Sequence, residues 1–563
     1  MRVFKFLFLL FALPVNCVAA EAATQSLSEA TRAIDTFARK LMEARGTPGL
    51  TLAVTTDQSL LYAGTYGHSD LKAGIRVDQD TLFQIGSISK SFTAIGLLQL
   101  LEKGIVDLEE PVQSYLPWFE VQSRYPPIHV HHLLTHSAGL PANRDNLTHS
   151  PLMVVALRDQ ETAWPPGERF FYSNVGYQTL HFILERLADR PYGDFIQTNI
   201  LDPLGMSKSR PIISLESRSG QAVGYIPPYD DRPHHVSRPL AEAPHFEYRI
   251  GDGSIQSTAK DMAAYIRMLL NNGQGPTGRL ISAKAFERFS TAHIQIREKL
   301  GYGYGIRVAE KRGSKVLEHS GGMVGFSAYL QADLANGIGA VVLANGPSEN
   351  RRLAEYAIAV VEASMQQKRI PDSPLIVDPT RTENAAEYVA RYAKDSKNPV
   401  QITSGRSQLY LESGDERILL EWRGKDTFYT PHPSFDRYFI RFLRDDSGRV
   451  NRLTYGASLF WRGGSKEEPL VRVDDEWSAF AGRYRSYSPW LSYFEIFIRQ
   501  GDLIAVTGEG GESSSGEIKL VPIEPARFRV GVEDSPETIV FKTLLEGKAM
   551  EAVWSGHPFF RTP

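Results

Sequence analysis

The segment from Ile88 to about Lys103 constrains the fold most strongly, because its side chains are apolar on nearly all sides of a helix. Such a helix cannot lie on a surface, so a domain large enough to surround it must bury it. Gly104 stands where a glycine commonly ends a helix. The sequence therefore predicts a buried helix, and its first residues are expected to lie deep in the fold.

A serine and a lysine stand at the start of this helix. Ser87 and Lys90 are three residues apart, so one helical turn places their side chains on the same face. A serine hydroxyl is a weak nucleophile that needs a base within reach, and a lysine kept partly neutral by its surroundings can be that base. A helix start also favours developing negative charge. A helix cap followed by a solvated lysine explains the same two residues, so both interpretations stay open here.

The chain has a second Ser-x-x-Lys pattern, at Ser257 and Lys260. There Thr258 is a candidate N-cap, Asp261 falls in the first turn, and an apolar stripe at helical spacing follows. We interpret this copy as the ordinary start of a helix.

Length and charge limit the class of protein. A chain of 563 residues is too long for one ordinary core, so we expect about two to four domains. The formal net charge of −3 argues against nucleic acid as a bulk partner. We expect a small-molecule or peptide substrate, and the sequence carries no signal for an oligomeric state.

The first twenty residues have the pattern of a secretory signal peptide. Arg2 and Lys5 give a positive start, an apolar run follows over residues 6–13, and small residues at 18–20 suit cleavage. The alternative is a membrane anchor, but the run is too short to span roughly 30 Å of hydrocarbon. The sequence predicts a signal peptide, a periplasmic or secreted protein, and no stable membrane insertion.

The only cysteine, Cys17, lies inside this signal. The mature protein is therefore expected to have no disulfide, no cysteine nucleophile and no thiolate metal site. Lipid attachment at Cys17 is an alternative that Asn16 disfavours, because such sites resemble one another in having a small residue before the cysteine.

Tyr172 and Asn174 lie on a loop that leads into another helix with an apolar stripe. A tyrosine beside cations can transfer protons. An asparagine can donate to a substrate carbonyl while it accepts from a lysine. The alternative is a buried tyrosine next to an asparagine that caps the helix.

Four histidines stand within eight positions, at His129, His131, His132 and His136. No carboxylate lies among them and nothing nearby completes a familiar ligand spacing, so a structural role is favoured over a metal site. We expect no metal and no other cofactor.

Residues 316–344 have the pattern of consecutive strands with glycine turns, which predicts an antiparallel sheet, and residues 350–365 that of a closing helix. His319, Ser320, Gly321 and Gly322 follow one another in the first strand. Glycines in a strand let another backbone approach closely and leave an N–H free for a ligand. A glycine bulge without a ligand is the alternative.

Three short motifs, taken in order, resemble those of the serine β-lactamase and penicillin-binding-protein superfamily. They are Ser87-x-x-Lys90, Tyr172-Ser173-Asn174 and His319-Ser320-Gly321. The most similar branch is that of class C β-lactamases, D-aminopeptidases and related esterases, and the resemblance covers about residues 27–366. It implies an α+β fold, in which helices flank an antiparallel sheet and an all-helical lobe is added.

The resemblance also implies roles for these residues. Ser87 would be the nucleophile, with Lys90 and Tyr172 sharing the acid and base work. The substrate would contact Asn174 and the strand residues His319, Ser320, Gly321 and Gly322, with the N–H groups of Ser87 and Gly322 as the oxyanion hole. His319 departs from the lysine that β-lactamases and transpeptidases have, which disfavours ordinary penicillin hydrolysis. It is similar to the D-aminopeptidase and peptidase-like members.

The remainder of the chain contains an internal repeat. Arg391-Tyr392 matches Arg483-Tyr484 and Phe428 matches Phe528, while Phe460-Trp461-Arg462 lines up with Phe559-Phe560-Arg561. We expect a catalytic domain over residues 21–370, a linker over 371–383, and two small antiparallel β-barrel-like modules over 384–465 and 470–563. This layout resembles that of D-aminopeptidases, in which a loop of the last module reaches the active site. Residues 507–516 are the candidate loop, and a flexible hairpin tip without a role is the alternative.

These observations predict a secreted serine hydrolase that works through an acyl-enzyme on Ser87. A peptidase or amidase directed at peptides with D-amino acids is favoured, then a related esterase, then a β-lactamase. The alternative from another class is a non-catalytic protein that binds cell-wall fragments.

Overall fold

The computed structural model describes residues 15–142, 151–394, 399–464, 475–508 and 516–563. Most of the predicted signal peptide and most of the candidate loop at 507–516 lie outside these ranges. Within them, no helix combines the length and the apolar character needed to cross a bilayer.

The central sheet is built from two separate stretches of the chain. The first contributes β1 (Gly49–Thr56), β2 (Leu60–Asp70) and β3 (Ile75–Arg76). The second contributes β4 (Ile294–Arg297), β5 (Leu300–Tyr302), β6 (Arg307–Lys311), β7 (Ser314–Met323), β8 (Phe326–Asp333) and β9 (Ile338–Ala344). The nine strands are antiparallel in the order β4-β5-β6-β7-β8-β9-β1-β2-β3. The β1–β9 pair therefore joins the two stretches, and all residues between them form an excursion from one sheet.

Within the described residues, five longer helices accompany the sheet. They are α1 (Val15–Arg45), α2 (Ser89–Glu102), α3 (Asn174–Ala188), α4 (Ala259–Leu270) and α5 (Asn350–Met365). Shorter helices and two-stranded ribbons fill the excursion, at Val112–Tyr115, Val130–Leu134, Leu152–Val155, Tyr192–Ile196, Asp202–Leu204 and Ala283–Phe289, and at Phe83–Gln84 with Gln256–Ser257, Tyr225–Ile226 with Ala241–Glu242, and Gln274–Gly275 with Gly278–Arg279.

The alternation of side chains along β1 divides the core into two layers. Leu50, Leu52 and Val54 pack on one face with α1 and α5, while Ala53 joins the core on the other face. That second core contains α4 and the helical lobe. Both faces of β1 and β9 are buried, so every residue of these strands is buried. This explains why their sequences are apolar runs rather than a simple alternation.

The helix α2 is buried on nearly all sides, as its composition predicts. Eleven of its fourteen residues are buried, and it packs against α3 inside the helical lobe. A single 3₁₀ turn, Gly86–Ile88, precedes it and carries Ser87. The predicted α+β fold, with flanking helices and a helical lobe, is confirmed.

The C-terminal part forms two closed eight-stranded barrels. The first consists of β10 (Ala390–Ala393), β11 (Pro399–Gly405), β12 (Gln408–Ser413), β13 (Glu416–Gly424), β14 (Thr427–Tyr429), β15 (Ile440–Arg444), β16 (Val450–Tyr455) and β17 (Ser458–Arg462). The second consists of β18 (Gly482–Arg485), β19 (Tyr493–Arg499), β20 (Asp502–Val506), β21 (Glu517–Glu524), β22 (Arg527–Val530), β23 (Thr538–Leu545), β24 (Lys548–Trp554) and β25 (His557–Thr562). In each barrel the first strand pairs with the last, which leaves no open edge.

The repeat in the sequence corresponds to the same contacts in both barrels. The hydroxyl groups of Tyr392 and Tyr484, both fully buried, donate to the carbonyl four residues earlier, at 2.9 and 2.8 Å. Arg462 and Arg561 each donate to three backbone carbonyls at the point of closure. The matched residues therefore make equivalent hydrogen bonds in the two barrels, which explains why they recur in the sequence.

The buried carboxylate of Glu318 on β7 generates a stability prediction. Its oxygens contact Lys311 at 2.6 Å and Arg351 at 3.2 Å and accept from the Tyr329 hydroxyl at 2.6 Å. We expect Glu318→Gln to lower the free energy of unfolding of the domain that contains the nine-stranded sheet by about 3 kcal/mol, because a buried ion pair loses one member.

The matched control is Asp372→Asn, which removes one member of the ion pair that Asp372 forms with Arg369. These side chains are 91% and 85% exposed, so less than about 0.5 kcal/mol should be lost. Urea unfolding monitored by circular dichroism measures both variants, and equal stabilities would contradict the prediction.

Candidate active site

The 3₁₀ turn before α2 brings Ser87 and Lys90 together. Ser87 is half-buried, and the Lys90 side chain is completely buried one turn further along. Lys90 Nζ lies 3.0 Å from Ser87 Oγ and donates to the backbone carbonyl of Asp252 at 2.8 Å. The serine and lysine of this motif are therefore in direct hydrogen-bond contact.

The second Ser-x-x-Lys pattern has a different geometry. Thr258 is the N-cap of α4, and its hydroxyl accepts from the N–H of Asp261 at 3.1 Å. Ser257 is buried whereas Lys260 is exposed. This copy is the start of a helix, as the sequence indicates.

Aromatic rings rather than carboxylates surround the Lys90 amine. Lys90 Nζ lies 5.0 Å from the ring centre of Tyr172 and 5.7 Å from that of Tyr177. No acidic side chain of the described ranges lies within ion-pair distance of it. Within the described ranges the amine thus has two hydrogen-bond partners, Ser87 Oγ and the Asp252 carbonyl.

The side chain of Asp252 was not singled out from the sequence, where it lies in an irregular stretch without a motif. Its carboxylate is wholly buried and accepts from the Tyr248 hydroxyl at 2.8 Å and from Gln178 Nε2 at 3.4 Å. Burial raises the pKa of Asp252, while the charge of Lys90 and the hydrogen bond from Tyr248 act against that rise. This residue fixes the carbonyl that binds Lys90.

Tyr172 and Asn174 lie at the start of α3, where the Tyr172 ring packs against the Lys90 amine. Ser173 is the N-cap, since its hydroxyl accepts from the N–H of Gly176 at 3.2 Å, so the alternative of an asparagine cap is wrong. Asn174 is the first helical residue. The Tyr172 phenol oxygen is buried and has no hydrogen-bond partner within the described ranges, so it does not bond Ser87 Oγ in this structure.

Glycines allow β7 to lie against the turn that carries Ser87. A β-carbon added at Gly321 would be 1.9 Å from the carbonyl oxygen of Ile85. One added at Gly86, where φ is +52°, would be 2.6 Å from the nitrogen and oxygen of Gly322. Only residues without a side chain fit at this approach. The edge of β7 therefore runs directly beside the serine.

A directional chain of hydrogen bonds holds His319 on the same strand. The N–H of Ser173 donates to His136 Nδ1 at 3.0 Å, so His136 carries its proton on Nε2, which lies 3.2 Å from the Tyr302 hydroxyl. That hydroxyl lies 2.9 Å from His319 Nε2, and His319 Nδ1 lies 2.6 Å from the Ser320 carbonyl. Donor and acceptor alternate along this chain only when both imidazoles are neutral.

The electrostatics agree with neutral imidazoles. Burial lowers the pKa of His319 well below 6.5, and the charges of Arg307 and Lys90 lower it further. Burial likewise lowers the pKa of His136, followed by the charge of Lys90. His319 therefore places a neutral hydrogen-bonding group, not a cation, beside the serine. The sequence assigned His136 a structural role with the other histidines, and Tyr302 carried no signal.

Arg307 is a cation on the strand next to β7, and no motif in the sequence marks it. It begins β6, opposite Glu318 of β7, and is half-buried. Within the described ranges its guanidinium has neither a hydrogen bond nor an ion pair. A half-buried guanidinium without a partner retains its full capacity to bind an anion.

Comparisons with known proteins give a consistent result. A family model described as beta-lactamase matches residues 34–364, more than half of the chain. The chain is 26% identical to Penicillin-binding protein 4* of Bacillus subtilis over 438 residues, which are 73% of this chain and 92% of that protein. It is 26% identical to a beta-lactamase of Yersinia enterocolitica over 242 residues, which are 42% of this chain and 59% of that protein.

A solved structure is also similar to this chain. The octameric penicillin-binding protein homologue from Pyrococcus abyssi superimposes with a TM-score of 0.55 at 25% identity. The alignment covers 76% of this chain and 98% of that one.

The neutral histidine chain predicts how stability depends on pH. A histidine whose pKa is lowered by folding is protonated more readily in the unfolded chain, so stability is complete above about pH 6.5 and falls below it. Each of His136 and His319 should contribute up to about 1.4 kcal/mol per pH unit between pH 6 and 5. In His319→Gln the free energy of unfolding should therefore fall less steeply with decreasing pH, by up to about 1.4 kcal/mol per pH unit.

Urea unfolding of the catalytic domain at pH 7, 6 and 5 measures this difference. The matched control is His245→Gln, because His245 is half-buried and takes no part in the hydrogen-bond chain of His136, Tyr302 and His319. An unchanged pH dependence in His319→Gln would contradict the neutral assignment.

Proposed function

This chain belongs to the beta-lactamase family, and we propose that it is a serine hydrolase that works through an acyl-enzyme on Ser87. The observation that carries the proposal is the 3.0 Å contact between Lys90 Nζ and Ser87 Oγ, with the amine completely buried. A nucleophile and a base in hydrogen-bond contact are the signature of nucleophilic catalysis.

The proposed reaction has two halves. In the first, Lys90 Nζ acts as the general base and accepts the proton of the Ser87 hydroxyl, and Oγ bonds to the substrate carbonyl carbon. The tetrahedral intermediate collapses, its bond to the leaving group breaks, and the leaving group takes a proton. In the second, water gives one proton to the same base and adds to the ester carbon on Ser87. The bond between that carbon and Oγ then breaks, Oγ takes the proton back from the base, and the acid leaves.

The phenol of Tyr172 is proposed to move the proton between Lys90 and the leaving group. Its ring is adjacent to the Lys90 amine, and its buried hydroxyl has no other partner in the described ranges. A buried hydroxyl without a partner is costly in the free enzyme, and a substrate atom or a water would satisfy it.

For the substrate, we propose a peptide or amide that contains D-amino acids and carries a carboxylate near the scissile bond. The resemblance of the His319 motif to that of D-aminopeptidases supports the D-amino acids, and two observations support the carboxylate. His319 is neutral and cannot supply the cation that binds a carboxylate, whereas Arg307 stands near it without a partner. A guanidinium binds a carboxylate with two parallel hydrogen bonds. A related ester with the same carboxylate would fit equally well.

A β-lactam is the second candidate substrate, since it presents a carbonyl and a carboxylate together. The relative named as a beta-lactamase supports it. A non-catalytic binder of cell-wall fragments is disfavoured, because binding alone does not require a buried lysine against the serine. Export to the periplasm or medium is also proposed, on the signal pattern of residues 1–20.

Removal of the nucleophile tests the proposal. Ser87→Ala should lower kcat by at least about 10⁴-fold, because no other group can form the acyl-enzyme. The assay panel is nitrocefin, p-nitrophenyl acetate and an N-acyl-D-alanyl-D-alanine peptide. Ser257→Ala, in the second Ser-x-x-Lys pattern, is the matched control and should retain activity. Turnover that survives in Ser87→Ala would refute the assignment.

Neutralisation of Arg307 tests the substrate class. Arg307→Gln should raise KM for a peptide with a free terminal carboxylate by about 10- to 100-fold, the worth of a charged hydrogen bond. The terminal amide of the same peptide should be unaffected. Arg312→Gln, exposed in the hairpin after β6, is the control. Equal effects on acid and amide would remove Arg307 from substrate binding.

A further inference from the structure

The second barrel contacts the catalytic domain through the carboxylate of Glu537. Glu537 Oε1 accepts from the backbone N–H of Ala142 at 2.6 Å. Its other oxygen accepts from Trp554 Nε1 at 3.1 Å and from the Ser555 hydroxyl. Contacts within the barrel therefore hold one oxygen of this carboxylate, while the other oxygen contacts the catalytic domain.

The segment that Glu537 binds is the one on which α3 begins. The Ala142 carbonyl accepts from the N–H of Asn174 at 2.6 Å, and the Pro141 carbonyl accepts from the Ser173 hydroxyl at 2.7 Å. Two peptide units thus separate the barrel carboxylate from the first turn of the helix that carries Asn174. Displacement of residues 141–142 would move that turn.

A second contact of the barrel reaches Tyr248, which binds Asp252. The ring of Trp490 lies 5.7 Å from that of Phe246 and 6.1 Å from that of Tyr248, edge to face. The Tyr248 hydroxyl binds the carboxylate of Asp252, whose backbone carbonyl binds Lys90. The barrel therefore also supports the residue that holds the general base.

Charged contacts keep the barrel in place. Arg485 forms two hydrogen bonds with Asp230, at 2.7 and 2.9 Å, and Ser492 donates to the same carboxylate at 2.7 Å. Asp534 pairs with Arg169, close to Tyr172 in the chain. Together with Glu537 and Trp490, these contacts join the barrel to several segments of the catalytic domain.

We propose that the second barrel is a working part of the active site, in which Glu537 positions the start of α3 with Asn174 and Trp490 positions Tyr248 and Asp252 against Lys90. Both are positioning residues that act through others, and the proposal rests on the proposed function of Ser87. It assigns the barrel a task in hydrolysis that requires none of its residues to touch the substrate.

Two activated esters distinguish the two contacts. N-acetyl-D-alanine p-nitrophenyl ester has an amide for the Asn174 side chain to bind, and p-nitrophenyl acetate has none. Glu537→Ala should lower kcat/KM for the first by about 10- to 100-fold, as expected for a displaced binding group, and for the second by less than about threefold. Glu537→Gln, which still offers an oxygen to Ala142, should restore most of the loss.

Trp490→Leu gives an independent measurement. Because it acts on Lys90, it should slow the reaction of Ser87 with a fluorophosphonate about tenfold, and both esters should lose activity together. Glu533→Ala, an exposed carboxylate of the same barrel, is the matched control for every assay. Thermal unfolding of each variant shows whether the barrel is still folded.

The outcomes separate this proposal from the function on which it rests. A wild-type protein that neither hydrolyses the esters nor reacts with the fluorophosphonate would overturn both. A wild-type protein that does both, with Glu537→Ala losing equally on the two esters or on neither, would overturn the role of the barrel alone. Selective loss on the amide-bearing ester with rescue by Glu537→Gln supports it.

Discussion

The contact of the buried Lys90 amine with Ser87 Oγ determines much of the rest of the structure. A lysine can reach a serine three residues earlier only from within one helical turn, and it stays buried only if that helix is enclosed. The helical lobe encloses α2, and the Asp252 carbonyl gives the amine its second partner. The segment between β3 and β4 thus forms the helical lobe that buries this hydrogen bond.

Strand β7 of the sheet lies beside Ser87, and His319 on this strand is neutral. Gly321 and Gly86 let β7 approach the turn of Ser87 as closely as two backbones can. His136 and Tyr302 then hold His319 in one neutral tautomer, because the chain of donors and acceptors ends on the Ser320 carbonyl. The unpaired guanidinium of Arg307 supplies the positive charge from the neighbouring strand β6, and so we propose that carboxylate binding has moved to it.

Much of this arrangement follows from local patterns in the sequence. The all-round apolar character of 88–103 predicts a buried helix, and the repeated Tyr392 and Tyr484 predict twin barrels, because each pattern reflects one element and its own packing. Asp252, Tyr302 and Arg307 could not be predicted in this way, since they acquire their surroundings only through contacts between distant segments. The same reason hid Glu537 and Trp490, whereas the candidate loop at 507–516 falls mostly outside the described residues.

The proposed mechanism depends most directly on which side chain forms the covalent bond. Incubation of the native protein with a fluorophosphonate, followed by intact mass measurement and peptide mapping, would locate that bond. We predict one adduct per chain, on the peptide that contains Ser87, and none after denaturation in urea. An adduct on the peptide of Ser257, or hydrolysis without any adduct on Ser87, would contradict the central claim.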